Sequence, residues 1–92
     1  MTIYKDKDLE QELQSLNNWF VQLGQLTRVF EFEDFKASMV FVTKVADLAE
    51  AAQHHPDIMI SYNKVALSMC THDQDDQITD KDIELAKKIS AL

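Results

Sequence analysis

Glycine, proline and cysteine occur once each in this 92-residue chain. A single cysteine rules out an internal disulfide and points to a reducing compartment, the cytoplasm. Cys70 itself lies in an alternating apolar stretch, where a free thiol behaves as a small hydrophobe. With so little glycine and proline there is no linker to part the chain, and no repeat or low-complexity tract divides it, so residues 1–92 are expected to form a single domain. No apolar run approaches the ~20 residues needed to cross a bilayer. Met1-Thr2-Ile3-Tyr4-Lys5-Asp6 lacks the basic-then-apolar order of a secretory leader, so no membrane partner is expected. Lysine and arginine number 9 against 16 aspartates and glutamates, a formal charge of −7, and the basic residues are scattered. Neutralising phosphates requires clustered cations, so no nucleic-acid partner is expected either.

What remains is an ordinary globular balance, 46% apolar and 27% charged. A chain of this length hides about 60–65% of its unfolded surface, enough for one modest core that association with other copies would help. Leu9, Leu13 and Leu16 recur at helical spacing over 8–16, with Asp8 as a candidate cap. Residues 19–23 and 26–32 read as two strands joined at Gly24-Gln25. Asp34 fits the N-cap of a long helix reaching about Gln53. Its apolar positions include Phe35, Met39, Val40, Phe41, Val42, Val45, Leu48 and Ala49, an arc wider than one sheet face requires. Part of that arc meets another subunit, or the helix is simply central and well buried. Pro56 is expected to end the helix, because it pushes His55 to extended geometry. Residues 58–62 and 65–71 then alternate like strands around a two-residue turn at Asn63-Lys64. That register pairs Tyr62 with Val65, Ile60 with Leu67 and Ile58 with Met69, and its extension sets His55 opposite His72. The last helix covers 79–91, with Thr79 as N-cap, Asp82 at the third helical position, and Ile78 and Ile83 as a flanking staple. Trp19 and the phenylalanines are expected in the core.

All three histidines, His54, His55 and His72, fall in one window behind Glu50. Imidazole is the side chain whose ordinary pKa lets it exchange protons near neutrality. Adjacent histidines, with a third returned to them by a hairpin, form a candidate acid–base site. Zinc ligation by the three histidines and Glu50 is an alternative, but the spacing matches no established ligand pattern, so no metal is expected.

The run Arg28-Val29-Phe30-Glu31-Phe32-Glu33-Asp34-Phe35 resembles the pterin-4a-carbinolamine dehydratases. So does Glu50-x3-His54-His55-Pro56-x5-Tyr62-Asn63-Lys64-Val65, and so does Thr71-His72 followed by Thr79-x2-Asp82. The similarity runs from about Trp19 to Ile89. It implies an α+β fold in the order α-β-β-α-β-β-α, a four-stranded antiparallel sheet with three helices packed on one face, assembled as a homodimer or homotetramer. It also implies a hydro-lyase that dehydrates 4a-hydroxytetrahydrobiopterin to quinonoid dihydropterin. That activity recycles the tetrahydrobiopterin used by aromatic amino acid hydroxylases. The pterin is the substrate, and no cofactor is implied. Two departures stand out: Gln53 where many members have an acid, and a loop Asp73-Gln74-Asp75-Asp76-Gln77 that lacks glycine and is one residue longer.

Loss of water from the 4a carbon requires protonation of the leaving hydroxyl and removal of the N5 proton, work suited to general acids and bases. The resemblance makes His54, His55 and His72 the catalytic set, with His54 and His72 as the acid–base pair and His55 mainly a binding group. Glu50, one turn before His54, is placed to raise its pKa. Glu50, Gln53, Cys70 and Thr71 are the expected substrate-binding residues, the last three holding the polar edge of the pterin through main-chain groups. Asp82 is expected to support the helix start and, secondarily, to orient a histidine. The competing reading is a protein-interaction module on the same fold, a dimerisation cofactor, coactivator or assembly factor.

Overall fold

The computed structural model describes residues 1–92. Its elements are α1 (Asp6–Leu13), β1 (Phe20–Gln22), β2 (Gln25–Glu31), α2 (Phe35–Ala52), β3 (Asp57–Ser61), β4 (Lys64–Met69), a 3₁₀ turn (His72–Gln74) and α3 (Asp80–Ser90). This is the expected order. The four strands form one antiparallel sheet, β1-β2-β4-β3, so the two longest strands lie in the centre.

Period-2 alternation sorts the sheet into two faces. In β2 and β4, Leu26 pairs with Met69 and Phe30 with Val65. These side chains meet the helices, and Leu26, Val65, Leu67 and Met69 pack with Phe41 and Val45 of α2 and Ile83, Ala86 and Ile89 of α3. The Phe41 ring lies 4.6 Å from that of Phe30 and 4.9 Å from that of Phe32, and Trp19 meets Phe30 edge-on at 6.2 Å. Not every aromatic is internal: Phe20 and Phe35 are 42% and 51% exposed.

Local chemistry explains both major helix starts. The Asp34 carboxylate accepts from Ala37 N at 2.8 Å. At α3, Lys81 N donates to Thr79 Oγ1 (3.2 Å) and Thr79 N to Asp82 Oδ2 (2.9 Å), the reciprocal box its sequence predicts. α1 differs from expectation: it starts at Asp6 behind Lys5, which offers no side-chain cap, so Asp8 lies inside it. Leu16 falls beyond its end yet is buried.

Three corrections share one cause, left-handed backbone at residues that are not glycine. The β1–β2 turn is Leu23-Gly24 (φ +53° and +76°), one residue earlier than expected. Such doubly positive pairs match the twist of a two-residue hairpin. The β3–β4 turn is Tyr62-Asn63, with Tyr62 at φ +53°. Ser61 therefore pairs with Lys64 and Ile58 with Leu67, a shift of two from the expected register. Extended, that register sets His55 opposite Cys70 rather than His72. Third, Gln53 adopts φ +51° and ends α2 before Pro56 can act. Its N–H and that of His54 return to Glu50 O and Ala49 O at 3.2 and 3.1 Å, the hydrogen-bond pair that closes a helix through a left-handed residue.

α2 buries only Ser38, Phe41, Val45 and Ala49. Phe35, Met39 and Val40 remain 51%, 38% and 51% exposed, so the helix is not buried all round. β3 is exposed along its whole length and forms one free edge of the sheet.

Candidate active site

The left-handed turn at Gln53 brings His54 back over the first turn of α3. His54 is 9% exposed, and its Nε2 lies 2.5 Å from Asp82 Oδ1. Asp82 is fully buried. Its other oxygen accepts from the Thr71 hydroxyl at 2.8 Å and from Thr79 N at 2.9 Å. The Thr71 and Thr79 hydroxyls are 2.6 Å apart. Each hydroxyl has one proton. Thr71 spends its proton on Asp82, so Thr79 must donate to Thr71 while accepting from Lys81 N. The chain of donors is thereby directed, and it ends on a carboxylate that can only accept. His54 must then carry its proton on Nε2, which leaves Nδ1 as the nitrogen available to a ligand. Asp82 therefore both caps α3 and bonds His54.

His55 is solvent-exposed. Its Nε2 lies 2.5 Å from Glu50 Oε2, with side chains 60% and 71% exposed. This corrects the expected pairing of Glu50 with His54: in a continuing helix Glu50 would face His54, but the turn at Gln53 rotates the chain and presents His55 instead. The same turn lets the Gln53 side chain cap Glu50 O at 2.7 Å.

His72 opens the 3₁₀ turn after β4 and is 74% exposed. Its Nδ1 sits 2.7 Å from Asp76 Oδ1. Two consecutive left-handed residues, Asp75 and Asp76 (φ +57° and +58°), bend the acidic loop back to make this contact. Aspartate tolerates that conformation better than most residues. The hydrogen bond to Asp76, and then its charge, raise the His72 pKa above the ordinary imidazole value; Asp57 and Asp82 add to this, and slight desolvation opposes it. Cys70 is buried, with Sγ 3.9 Å from both His72 Nδ1 and Gln25 Nε2. Burial pushes its thiol pKa up, helped by Asp76, Asp82 and Asp57, while the Gln25 amide pulls it down. Thr71 N donates to Gln77 O at 2.8 Å and Thr71 O accepts from Gln74 N at 3.1 Å, so both main-chain groups have partners within the chain.

These groups border one open cavity of about 270 Å³. Six residues expected at the site, Gln53, His54, His55, Cys70, Thr71 and His72, line it. Glu50 and Asp82 stand behind the lining. Two lining residues were not foreseen: Asp73, from the acidic loop, and Lys81, whose ammonium stem rises from the first turn of α3. The sequence offered a signal for Lys81, since it directly precedes the capping Asp82. The zinc alternative required the three histidines and Glu50 to converge. Instead Asp82 holds His54 and Glu50 holds His55, and the potential ligand atoms that do cluster belong to Cys70, His72 and Asp76. The cavity thus offers one buried imidazole fixed by Asp82, two exposed imidazoles paired with carboxylates, and one lysine.

Residues 2–92 match the profile of the family described as pterin 4 alpha carbinolamine dehydratase. A protein of Acidobacterium capsulatum, given that name provisionally, is 50% identical over 86 residues, covering 94% of this chain and 92% of its own. A Thermomicrobium roseum protein with the same provisional name is 44% identical, covering 95% and 92%. Among solved structures, a Brucella melitensis protein described as a transcriptional coactivator/pterin dehydratase superposes with a TM-score of 0.89 at 31% identity, covering 97% of this chain and 96% of its own.

Proposed function

The chain belongs to the pterin-4a-carbinolamine dehydratase family, and on that premise we propose that it dehydrates 4a-hydroxytetrahydrobiopterin by histidine acid–base catalysis. The observation that carries the reading is the buried His54–Asp82 pair opening onto a cavity that His72 also lines. With its Nε2 proton pinned on Asp82, His54 offers the Nδ1 lone pair to the N5 proton. His72, kept protonated to higher pH by Asp76, is the acid for the leaving hydroxyl. The C4a–O bond breaks with departure of water, and the electrons of the N5–H bond form the C4a=N5 double bond of the quinonoid product. No redox partner or covalent intermediate is needed. His55 and Lys81 border the bound ring, and Gln53, Cys70 and Thr71 complete the lining around it.

The assay is the decay of 4a-hydroxytetrahydropterin, followed optically, with wild type, His54→Ala and His72→Ala. Each substitution should cost on the order of 10²- to 10⁴-fold. Full activity in both folded variants defeats the assignment. The physiological role that follows is recycling of tetrahydrobiopterin for an aromatic amino acid hydroxylase, in the cytoplasm.

The exposed apolar stripe Phe35, Met39 and Val40 on α2, with the free edge of β3, supports assembly into a homodimer or homotetramer. Light scattering of wild type and Val40→Glu tests this. The same surface, and the coactivator description of the Brucella melitensis structure, support an interaction role as the second reading. That role predicts a pull-down partner lost on Val40→Glu and retained on His54→Ala.

A further inference from the structure

Two features meet at the rim of the cavity: a buried thiol directly before Thr71-His72, and an acidic loop that lacks glycine. The loop places Asp76 on His72, and the strand end places Cys70 behind it. The three potential ligand atoms lie within 4.8 Å of one another. We propose that Cys70 Sγ, His72 Nδ1 and Asp76 Oδ1 form a site for a thiophilic divalent cation of the zinc(II) class.

Two of the three donor separations can be set against what such an ion requires; the third, sulfur to oxygen, lies within 4.8 Å. Zinc bond lengths of ~2.3 Å to sulfur and ~2.0–2.2 Å to nitrogen and oxygen, at tetrahedral angles, set the donors ~3.6 Å (S to N) and ~3.4 Å (N to O) apart. The observed separations are 3.9 Å and 2.7 Å. The first is already within a few tenths of an ångström. The second opens when exposed Asp76 exchanges its hydrogen bond for a metal bond, a retreat of about 0.7 Å against the zinc geometry. A thiolate, an imidazole and a carboxylate suit zinc or cobalt, whereas calcium and magnesium prefer oxygen alone. Three protein donors leave a fourth position open, and two of the three, Cys70 and His72, line the cavity. That cavity is also the path by which an ion reaches a cysteine otherwise buried in protein. The plain alternative is a hydrogen-bonded histidine–aspartate pair beside an inert thiol.

An ion on Nδ1 removes His72 from proton transfer. Zinc would therefore inhibit the dehydratase, a consequence that rests on the function proposed above; binding itself does not. Metal-free wild type, Cys70→Ser and Asp76→Asn, each checked for folding by circular dichroism, are titrated with zinc chloride by calorimetry and with cobalt(II) by absorption. The expected result is one ion per chain, with thiolate-to-cobalt charge transfer and tetrahedral d–d intensity. Cys70→Ser should lose the charge-transfer band, and both variants should bind zinc at least about tenfold more weakly. Zinc should lower the wild-type rate more than that of either variant, each relative to its own metal-free rate. No saturable binding, or equal affinity in all three proteins, overturns the site. Absence of activity before zinc is added overturns the dehydratase reading and leaves the binding test standing.

Discussion

Replacing Asp82 by asparagine tests the logic of the site at its most constrained atom. Asp82 is fully buried and accepts from His54, Thr71 and Thr79. Alanine would orphan three buried donors, at ~1–3 kcal/mol each. The total is comparable to the ~5–14 kcal/mol that holds a domain of 92 residues together, so that variant would report folding more than function. Asparagine keeps the shape. Its carbonyl oxygen can take the place of Oδ2 and serve Thr71 and Thr79, which turns the amide NH₂ toward His54. An NH₂ cannot accept, so His54 must give up its Nε2 proton and carry it on Nδ1, and the nitrogen that offered a lone pair to the cavity becomes a donor. Exchanging charge-assisted bonds for neutral ones costs about 1–2 kcal/mol. For a domain of this size that lowers Tm by roughly 4–16 °C. The dehydration rate should fall on the order of 10²- to 10⁴-fold, the contribution of one positioned acid or base. Thermal unfolding, the turnover assay and nitrogen-15 NMR of the His54 ring form one experiment. A folded variant with the flipped tautomer and the wild-type rate would refute the reasoning. So would a rate collapse with the tautomer unchanged.

Other consequences are checked more simply. With chelator present, NMR titration should place the His72 midpoint above the ordinary value of about 6.5, and Asp76→Asn should bring it down. The sign for stability follows: the pair's contribution is complete below the ordinary value and is lost as pH rises through the raised one, so the variant should be flatter in that window. Leu23 is 97% exposed with φ +53°; Leu23→Asn relieves left-handed strain with no packing loss, and should raise Tm by ~2–8 °C for a gain of ~0.5–1 kcal/mol. An unchanged or lower Tm would show that the turn carries no such strain. Thr71→Val removes the donor to Asp82 and the acceptor of Thr79, and should destabilise by ~1–3 kcal/mol in denaturant titration; a neutral result would contradict the directed hydroxyl chain.

Much of this architecture was legible because its signals are local. Asp34 and the Thr79/Asp82 pair declare their helix starts within four residues, and the strand patterns survive in β2 and β4. What was not legible turned on backbone sign. Sequence rules assign left-handed geometry to glycine, and the chain has only one. It places Leu23, Gln53, Tyr62, Asp75 and Asp76 there instead. Gln53 moved Glu50 from His54 to His55, Tyr62 moved the hairpin by two residues, and Asp75-Asp76 folded an apparently solvated loop onto His72. His54, His55 and His72 share one sequence window and all line one cavity, although the hairpin register differs by two from the expected one. The partnership of His54 with Asp82 spans 28 residues; the sequence marked Asp82 as a capping acid that secondarily orients a histidine, without saying which one.

The unequal exposure of the histidines divides the cavity into a wall that is already ordered and a rim that is not. His54 meets a ligand with its rotamer settled by the fold. His55 and His72, 60% and 74% exposed, are each tied to a surface carboxylate, Glu50 and Asp76, by a hydrogen bond that a ligand would have to displace or accommodate. Freezing such side chains costs about 0.5–1.5 kcal/mol each. Recognition therefore carries an entropic penalty concentrated on one side. A compound reaching only His54 escapes it but gains little. One that engages both rim imidazoles is ordered by them as much as it orders them. Departure of a ligand returns that freedom to the rim, so release should be entropically favoured there.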